Sequence, residues 1–179
     1  MPDFITDEQF DHLFGDGFAH TAWRLESRRG YASDRAGAGF QRWARGEDPQ
    51  TDPGRPWCRN IAAQVAAGKR VERVRIADDP ITDGQAYLLH VGWANVQAGE
   101  DIRHLSRATA QRLGLPERDF WLFDAKVLLE MHFDQDDNYL GAELVDDPAA
   151  VLAACQVRDA AWHYAVTREE FKPAVPSLA

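Results

Sequence analysis

Apolar and charged residues alternate between Phe18 and Arg28, where Trp23 and Leu25 interleave with Arg24 and Glu26. A period of two is that of a strand with one buried face. The pattern returns at Arg70 to Ile76, where Val71, Val74 and Ile76 sit among Arg70, Glu72, Arg73 and Arg75; it predicts a strand with basic side chains on one face or at its edges. Ile102 to Leu105 predicts a short strand, and Phe120 to Phe123, Val127 to Phe133 and Tyr139 to Val145 predict an antiparallel meander. Helix signals lie between them. Thr6-Asp7-Glu8-Gln9 has capping-box spacing ahead of Phe10, Leu13 and Phe14. Ser33 caps a predicted helix over residues 34–45, and residues 57–67 predict another, closed by Gly68. After Pro80, Thr82 caps the apolar stretch Tyr87 to Val96, Ser106 caps a helix to Leu113, and Asp147-Pro148 opens a last helix to about Ala165.

The order reads αβαα-βαβα-βββ-α. Strand, helix and strand make a βαβ unit, so the expected class is α+β: a mixed β-sheet with flanking helices. Residues 1–171 read as a single domain; the three prolines and two glycines of residues 46–56 predict a flexible loop, and residues 172–179, with two prolines, a frayed tail.

Charge narrows the function. The 179 residues carry 20 Lys and Arg against 29 Asp and Glu, a net charge of −9, which argues against nucleic acid as a partner. With 45% hydrophobic and 27% charged residues, the composition is that of an ordinary globular protein. No apolar run approaches the roughly 18–20 residues that span a bilayer, and MPDFITDEQF has no basic and apolar leader pattern. The expectation is a cytoplasmic protein with no membrane partner. Cys58 and Cys155 are too few for a disulfide framework or a four-thiolate zinc site, and read as free thiols.

Familiar catalytic motifs are missing. Asp134, Asp136 and Asn138 start like an EF-hand loop, but Tyr139 stands where glycine is needed and Val145 where a bidentate glutamate is needed, so the segment reads as a solvated hairpin turn. The six histidines have no metal-ligand spacing, and no nucleophile elbow, P-loop or dinucleotide fingerprint follows a strand. The expectation is therefore no metal and no cofactor. Six tryptophans suit either a core or an aromatic-lined pocket. Glu26, Glu100, Asp101, Asp119 and Asp124 lie in or beside predicted strands. Asp119 and Asp124 flank Phe120-Trp121-Leu122-Phe123, where lost hydration suits a carboxylate to proton transfer. The competing reading pairs each acid with an arginine such as Arg24, Arg75, Arg103 or Arg158 in a structural ion pair.

By Trp23-Arg24-Leu25-Glu26 with Tyr31, Val71 to Ile76 with Pro80, Ala98 to Arg103, Asp119 to Asp124, and Arg158-Asp159 with Trp162, the whole chain resembles an actinobacterial family known only as a domain of unknown function. The order Arg73 to Ala77, amphipathic helix, Gly99 to Leu105, Phe120 to Asp124 and a last helix with Trp162 is similar, more distantly, to a phospholipase-D-like domain, here carrying an N-terminal helical and strand extension. That likeness implies a motif H-x-K-x4-D; with its aspartate on Asp124, Glu117 takes the histidine position and Asp119 the lysine position. Both catalytic identities are lost, which argues against a phosphodiesterase but sets Asp119 in the former catalytic cleft. Where the family is expected to carry tyrosine and arginine after Pro80, this chain has Gly84 and Ala86, a loss of bulk expected to open volume beside the cleft.

Two functions fit these residues. The first is a cofactor-independent acid/base enzyme of lyase or cyclase type acting on a small aromatic metabolite, with condensation or cyclisation as its chemistry and a Pictet–Spengler-type closure as one example. Asp119 and Glu26 would move protons; Arg75, Arg103, Trp121, Asp124, Gly84 and Ala86 would bind substrate. The second is a non-catalytic regulatory module, of sensor or toxin/antitoxin type, that binds a small ligand or a protein. A homodimer is compatible with either.

Overall fold

A computed structural model describes residues 2–172. Fifteen elements run in the order α1 (Asp7–Phe14), β1 (Thr21–Glu26), α2 (Ala32–Ala36), α3 (Ala38–Ala44), α4 (Pro56–Ala66), β2 (Arg70–Ala77), α5 (Asp83–Val91), α6 (Trp93–Gln97), β3 (Asp101–Ser106), α7 (Arg107–Arg112), β4 (Asp119–Phe123), β5 (Val127–Phe133), β6 (Tyr139–Val145), α8 (Pro148–Tyr164) and β7 (Val166–Thr167). The strands form one seven-stranded mixed sheet in the order β6-β5-β4-β1-β2-β3-β7. β1, β2 and β3 are parallel, and β4, β5, β6 and β7 pair antiparallel with their neighbours. The mixed α+β architecture follows from the alternating strands and from the helices that cover them.

Local chemistry sets the helix ends. Thr6 with Gln9 and Thr82 with Gln85 both complete capping boxes, and Asp147 accepts from the N–H groups of Ala149 and Ala150 ahead of Pro148. Two predicted helices are each broken in two. The segment from residue 34 to 45 splits because Gly37 is extended (φ −75°, ψ 144°), and its first part starts after Tyr31 rather than at Ser33. The apolar stretch after Thr82 breaks at Gly92, where a side chain would meet the Leu88 carbonyl at 2.9 Å and Arg75 Nη1 at 3.2 Å.

β1 corrects the expectation of an N-terminal extension: it is an interior strand, between β4 and β2. Residues 46–56 also have fixed contacts rather than only a linker's freedom. Pro49 is buried, the Arg42 Nε–H donates to the Asp48 carbonyl at 2.6 Å, and Arg55 donates to Asn95 Oδ1 at 2.5 Å. Of the expected frayed tail, residues 173–179 lie outside the described residues. No helix among the described residues is long and apolar enough to cross a membrane.

Alternation gives the sheet two different faces. Trp23, Leu25, Val74, Ile76, Leu105, Phe120, Leu122 and Leu128 pack under α7 and α8 as an apolar core. Each such side chain contributes roughly 1.5–3 kcal/mol on burial. On the opposite face, Phe14, Phe18, Ile61, Val71, Phe123 and Leu129 pack beneath α1 and α4 toward one end of the strands. Toward the other end, that same face carries charge.

Candidate functional site

In-register pairing lays charged and aromatic residues in two adjacent rows across this second face. Trp121, Arg24 and Arg73 are mutual neighbours in one row, and Arg75 and His104 pair in the next, alongside Glu26. The rows lie near the carboxyl ends of the parallel strands. There the chain leaves β1 toward β2 on one side and later returns to β4 on the other, which is where open sheets with parallel strands form ligand crevices.

The floor is a buried ion network. Glu26 Oε2 accepts from Arg73 Nη1 at 2.7 Å and from Arg75 Nε at 3.3 Å, while Arg73 Nε donates to Glu100 Oε1 at 2.6 Å. Asn95 Nδ2 donates to the other Glu100 oxygen at 2.7 Å. Asp119 Oδ2 accepts from Arg24 Nη2 at 3.0 Å and from the Tyr31 hydroxyl at 2.5 Å; its Oδ1 accepts from the Ser27 backbone N–H at 2.7 Å and the Ser27 hydroxyl at 3.2 Å. Three arginines, Arg24, Arg73 and Arg75, thus meet three carboxylates, Glu26, Glu100 and Asp119. Unpaired, such charges would not tolerate burial; paired and hydrogen-bonded, they do.

Electrostatics hold Glu26 and Arg24 in their ionised forms. Burial works to raise the Glu26 pKa, but Arg75, Arg73 and Arg24 outweigh it and hold the carboxyl far below its usual range. Burial opposes charge on Arg24, yet Tyr31, Glu26 and Asp119 keep its guanidinium protonated. Tyr31 is pushed well above the ordinary phenol value, first by burial and then by the negative charges of Glu26 and Asp119. His104 is pushed down to about 3 by burial and by Arg75, and neither ring nitrogen has a hydrogen-bond partner among the described residues.

Above this floor lies an open cleft in two adjoining parts. One, of about 560 Å³, is walled by Trp57, Tyr87 and residues 49–52, with Trp121 buried beneath Arg24 and Arg73 at its base; the other, of about 650 Å³, is bordered by Phe4, Tyr31, Phe133 and Tyr139. Arg24, Asp34, Arg73, Leu88, Phe10 and Met131 border both. Asp34 differs from the floor acids. It is half-buried, and its carboxylate makes no hydrogen bond or ion pair among the described residues. Burial raises its pKa and the negative charge of Glu26 adds to the rise, outweighing the opposing pull of Arg75, Arg24 and Arg35. A carboxyl held above its usual value and open to a cleft can take up and release protons.

A family model described as Domain of unknown function (DUF6879) matches residues 8–173. The chain belongs to this family. No curated protein matches it.

In this DUF6879 chain the residues expected to form the site fall into three groups. Glu26, Arg75 and Trp121 border the cleft. Asp119 lies beneath it, 2% exposed, with both oxygens occupied by the donors above, so the geometry matches the structural ion pair rather than a free proton carrier. The rest lie elsewhere. Arg103 stacks on Trp162 at 3.9 Å on the opposite sheet face and pairs with Asp101. Asp124, at the far end of β4, accepts from the N–H groups of Ala19, His20 and Thr21, which outweigh burial and lower its pKa. Gly84 corrects the expectation of opened volume. A Cβ there would lie 2.7 Å from both the Arg29 carbonyl and Gly30 Cα, so the missing side chain lets α5 pack on the segment after β1. Ala86, on the same helix, borders neither part of the cleft.

Arg24, Tyr31, Asp34, Arg55, Arg73 and Tyr87 were not singled out as site residues from the sequence. A signal existed for two pairs: Arg24 with Glu26, and Arg73 with Arg75, are charged at alternate positions of otherwise apolar strands, which puts them on one face. Asp34 and Arg55 lie at the starts of α2 and α4 in ordinary polar surroundings, and no local pattern marks them.

Proposed function

We propose that this DUF6879 protein is a cofactor-independent acid/base enzyme acting on a small aromatic molecule bound in the cleft, with Asp34 as the proton-transfer group. The observation that carries the reading is a half-buried, unpaired carboxylate with a raised pKa in a cleft walled by Trp57 and Tyr87. The aromatic walls, Trp57 from α4 and Tyr87 from α5, supply stacking area above an ion-paired floor on the sheet. Condensation or cyclisation suits these groups. In such a closure an amine and an aldehyde condense to an iminium with loss of water, and the aromatic π pair forms the new C–C bond as the C=N π pair moves onto nitrogen. The ring carbon then gives its proton to the Asp34 carboxylate as the ring regains aromaticity, and the carboxyl returns that proton to water as product leaves. Concave placement of the aromatics favours this reading over a regulatory module, which would present its apolar residues outward.

The same proposal includes descent from a phospholipase-D-like fold, supported by the mixed sheet and by a carboxylate, Asp119, on the face beneath the cleft. Glu117 lies exposed beside Arg107 and Asp119 is taken up by Arg24, so neither stands in for the nucleophile or the phosphate-binding cation that phosphodiester cleavage on such a fold uses.

The test is turnover. Purified protein is incubated with a panel of aromatic amines paired with aldehydes, and products are followed by mass spectrometry. The reading expects a product whose formation falls by about 10²–10⁴-fold in Asp34→Asn while the variant stays folded. Absence of any protein-dependent product, or full activity in Asp34→Asn, would overturn it.

A further inference from the structure

The charges bordering the cleft do not all belong to its floor. Arg24, Arg73 and Arg75 are neutralised by Glu26, Glu100 and Asp119 within the protein. Two charges remain. Asp34 has no partner, and Arg55 forms no ion pair among the described residues, its only side-chain hydrogen bond there being to the neutral amide of Asn95. Both border the part of the cleft that holds Trp57, Tyr87 and Trp121. Both also act on the same phenol: Tyr87 is raised first by burial and then by Asp34, and Arg55 opposes the rise. One carboxylate and one guanidinium therefore stand around one aromatic wall. Asp52, the other acid on this border, is exposed and accepts from the Gly54 N–H at 2.7 Å. Thr51 Oγ1 is buried on the same wall with no hydrogen-bond partner among the described residues.

A ligand with a single charge would leave one of the two uncompensated in a partly desolvated site, which costs more than binding a neutral body gains. We infer that the cleft takes a zwitterion, an aromatic α-amino acid, with its carboxylate on Arg55, its ammonium on Asp34 and its ring against Trp57 and Tyr87. Arg55 offers a planar fork that fits a carboxylate. This assignment rests on the reading of the cleft as a small-molecule site and names the substrate class that site accepts.

The experiment is isothermal titration of the full-length protein with L-phenylalanine, L-tyrosine and L-tryptophan, each against its decarboxylated amine and its deaminated acid. At least one amino acid is expected to bind, and removing either charge is expected to weaken binding by about tenfold or more, the factor that 1.4 kcal/mol gives. The variants should cross over. Arg55→Gln should erase the preference for the amino acid over its amine and Asp34→Asn the preference over its acid, while Arg55→Lys should keep part of the first. Circular dichroism of each variant confirms folding before titration. Amino acids that do not bind folded protein, or that bind equally well without either charge, would overturn the inference. Binding with crossed selectivity but no turnover would sustain it and remove the catalytic reading; turnover of a singly charged substrate with no preference for the zwitterion would do the reverse.

Discussion

Replacing Asp119 by Asn separates a structural acid from a chemical one. The carboxylate is buried and receives four hydrogen bonds, two of them from Ser27, one from Arg24 and one from Tyr31. An asparagine can keep its carbonyl oxygen toward Ser27, but its NH₂ then faces the Arg24 guanidinium, which has only donors. Tyr31 can turn its hydroxyl to accept; Arg24, with a side chain only 12% exposed, cannot. Removing one member of a buried ion pair in this way costs about 3–5 kcal/mol. For a domain of this size each kcal/mol moves the midpoint by roughly 2–4 °C, so the expected fall in Tm is about 6–20 °C. Thermal unfolding measures the fall in Tm, and urea unfolding monitored by tryptophan fluorescence measures the free-energy loss. Because Trp121 borders Arg24 across the strand pair, the native-state spectrum should shift as well. A loss under about 1 kcal/mol, the size expected of an exposed pair, would show that the network is not built as described.

Other perturbations follow from the same contacts. Glu26→Gln leaves Arg73 and Arg75 short of a counter-ion and should cost about 3–5 kcal/mol at neutral pH, read by thermal denaturation. Because the Glu26 pKa is lowered on folding, its contribution is present above the unfolded value of about 4.3 and is lost as pH falls toward the folded one; the gap between wild type and variant should shrink in acid. His104 is held neutral down to about pH 3, whereas an unfolded histidine takes a proton near about 6.5. Stability should therefore fall as pH drops through that window, and His104→Phe, which keeps the ring against Phe171, should flatten the fall. Gly84→Ala pushes a Cβ against the Arg29 carbonyl and should destabilise by about 1–3 kcal/mol in urea unfolding; a neutral result would restore the idea of free volume there.

The strands were legible because period-two alternation and local caps are short-range signals: β1, β2 and the β4–β5–β6 meander lie where Trp23/Leu25, Val71 to Ile76 and Phe120 to Val145 predict them. What alternation does not carry is neighbourhood. That β1 sits between β4 and β2, and so brings Arg24 against both Trp121 and Arg73, depends on crossovers of tens of residues. The broken helices at Gly37 and Gly92 answer to tertiary packing rather than to propensity; at Gly92 the crowding comes from Arg75, on another strand. The site was legible only where charge interrupted a strand. Glu26 and Arg75 announced themselves in that way, while Asp34 and Arg55 gain meaning only from what the floor beneath them already neutralises.

Asp34 is, on this account, a proton-exchanging carboxyl above a floor whose own charges are neutralised. Site-resolved carboxyl NMR, with Asp34→Asn to assign the signal, measures its titration in the folded protein. Burial and Glu26 should place its midpoint above the ordinary aspartate value of about 3.9. Because a raised pKa penalises the charged folded form, Asp34→Asn should also be at least as stable as wild type at neutral pH, with the difference vanishing below that ordinary value. A midpoint at or below about 3.9, with Asp34→Asn less stable than wild type, would make Asp34 a paired structural acid and contradict the account.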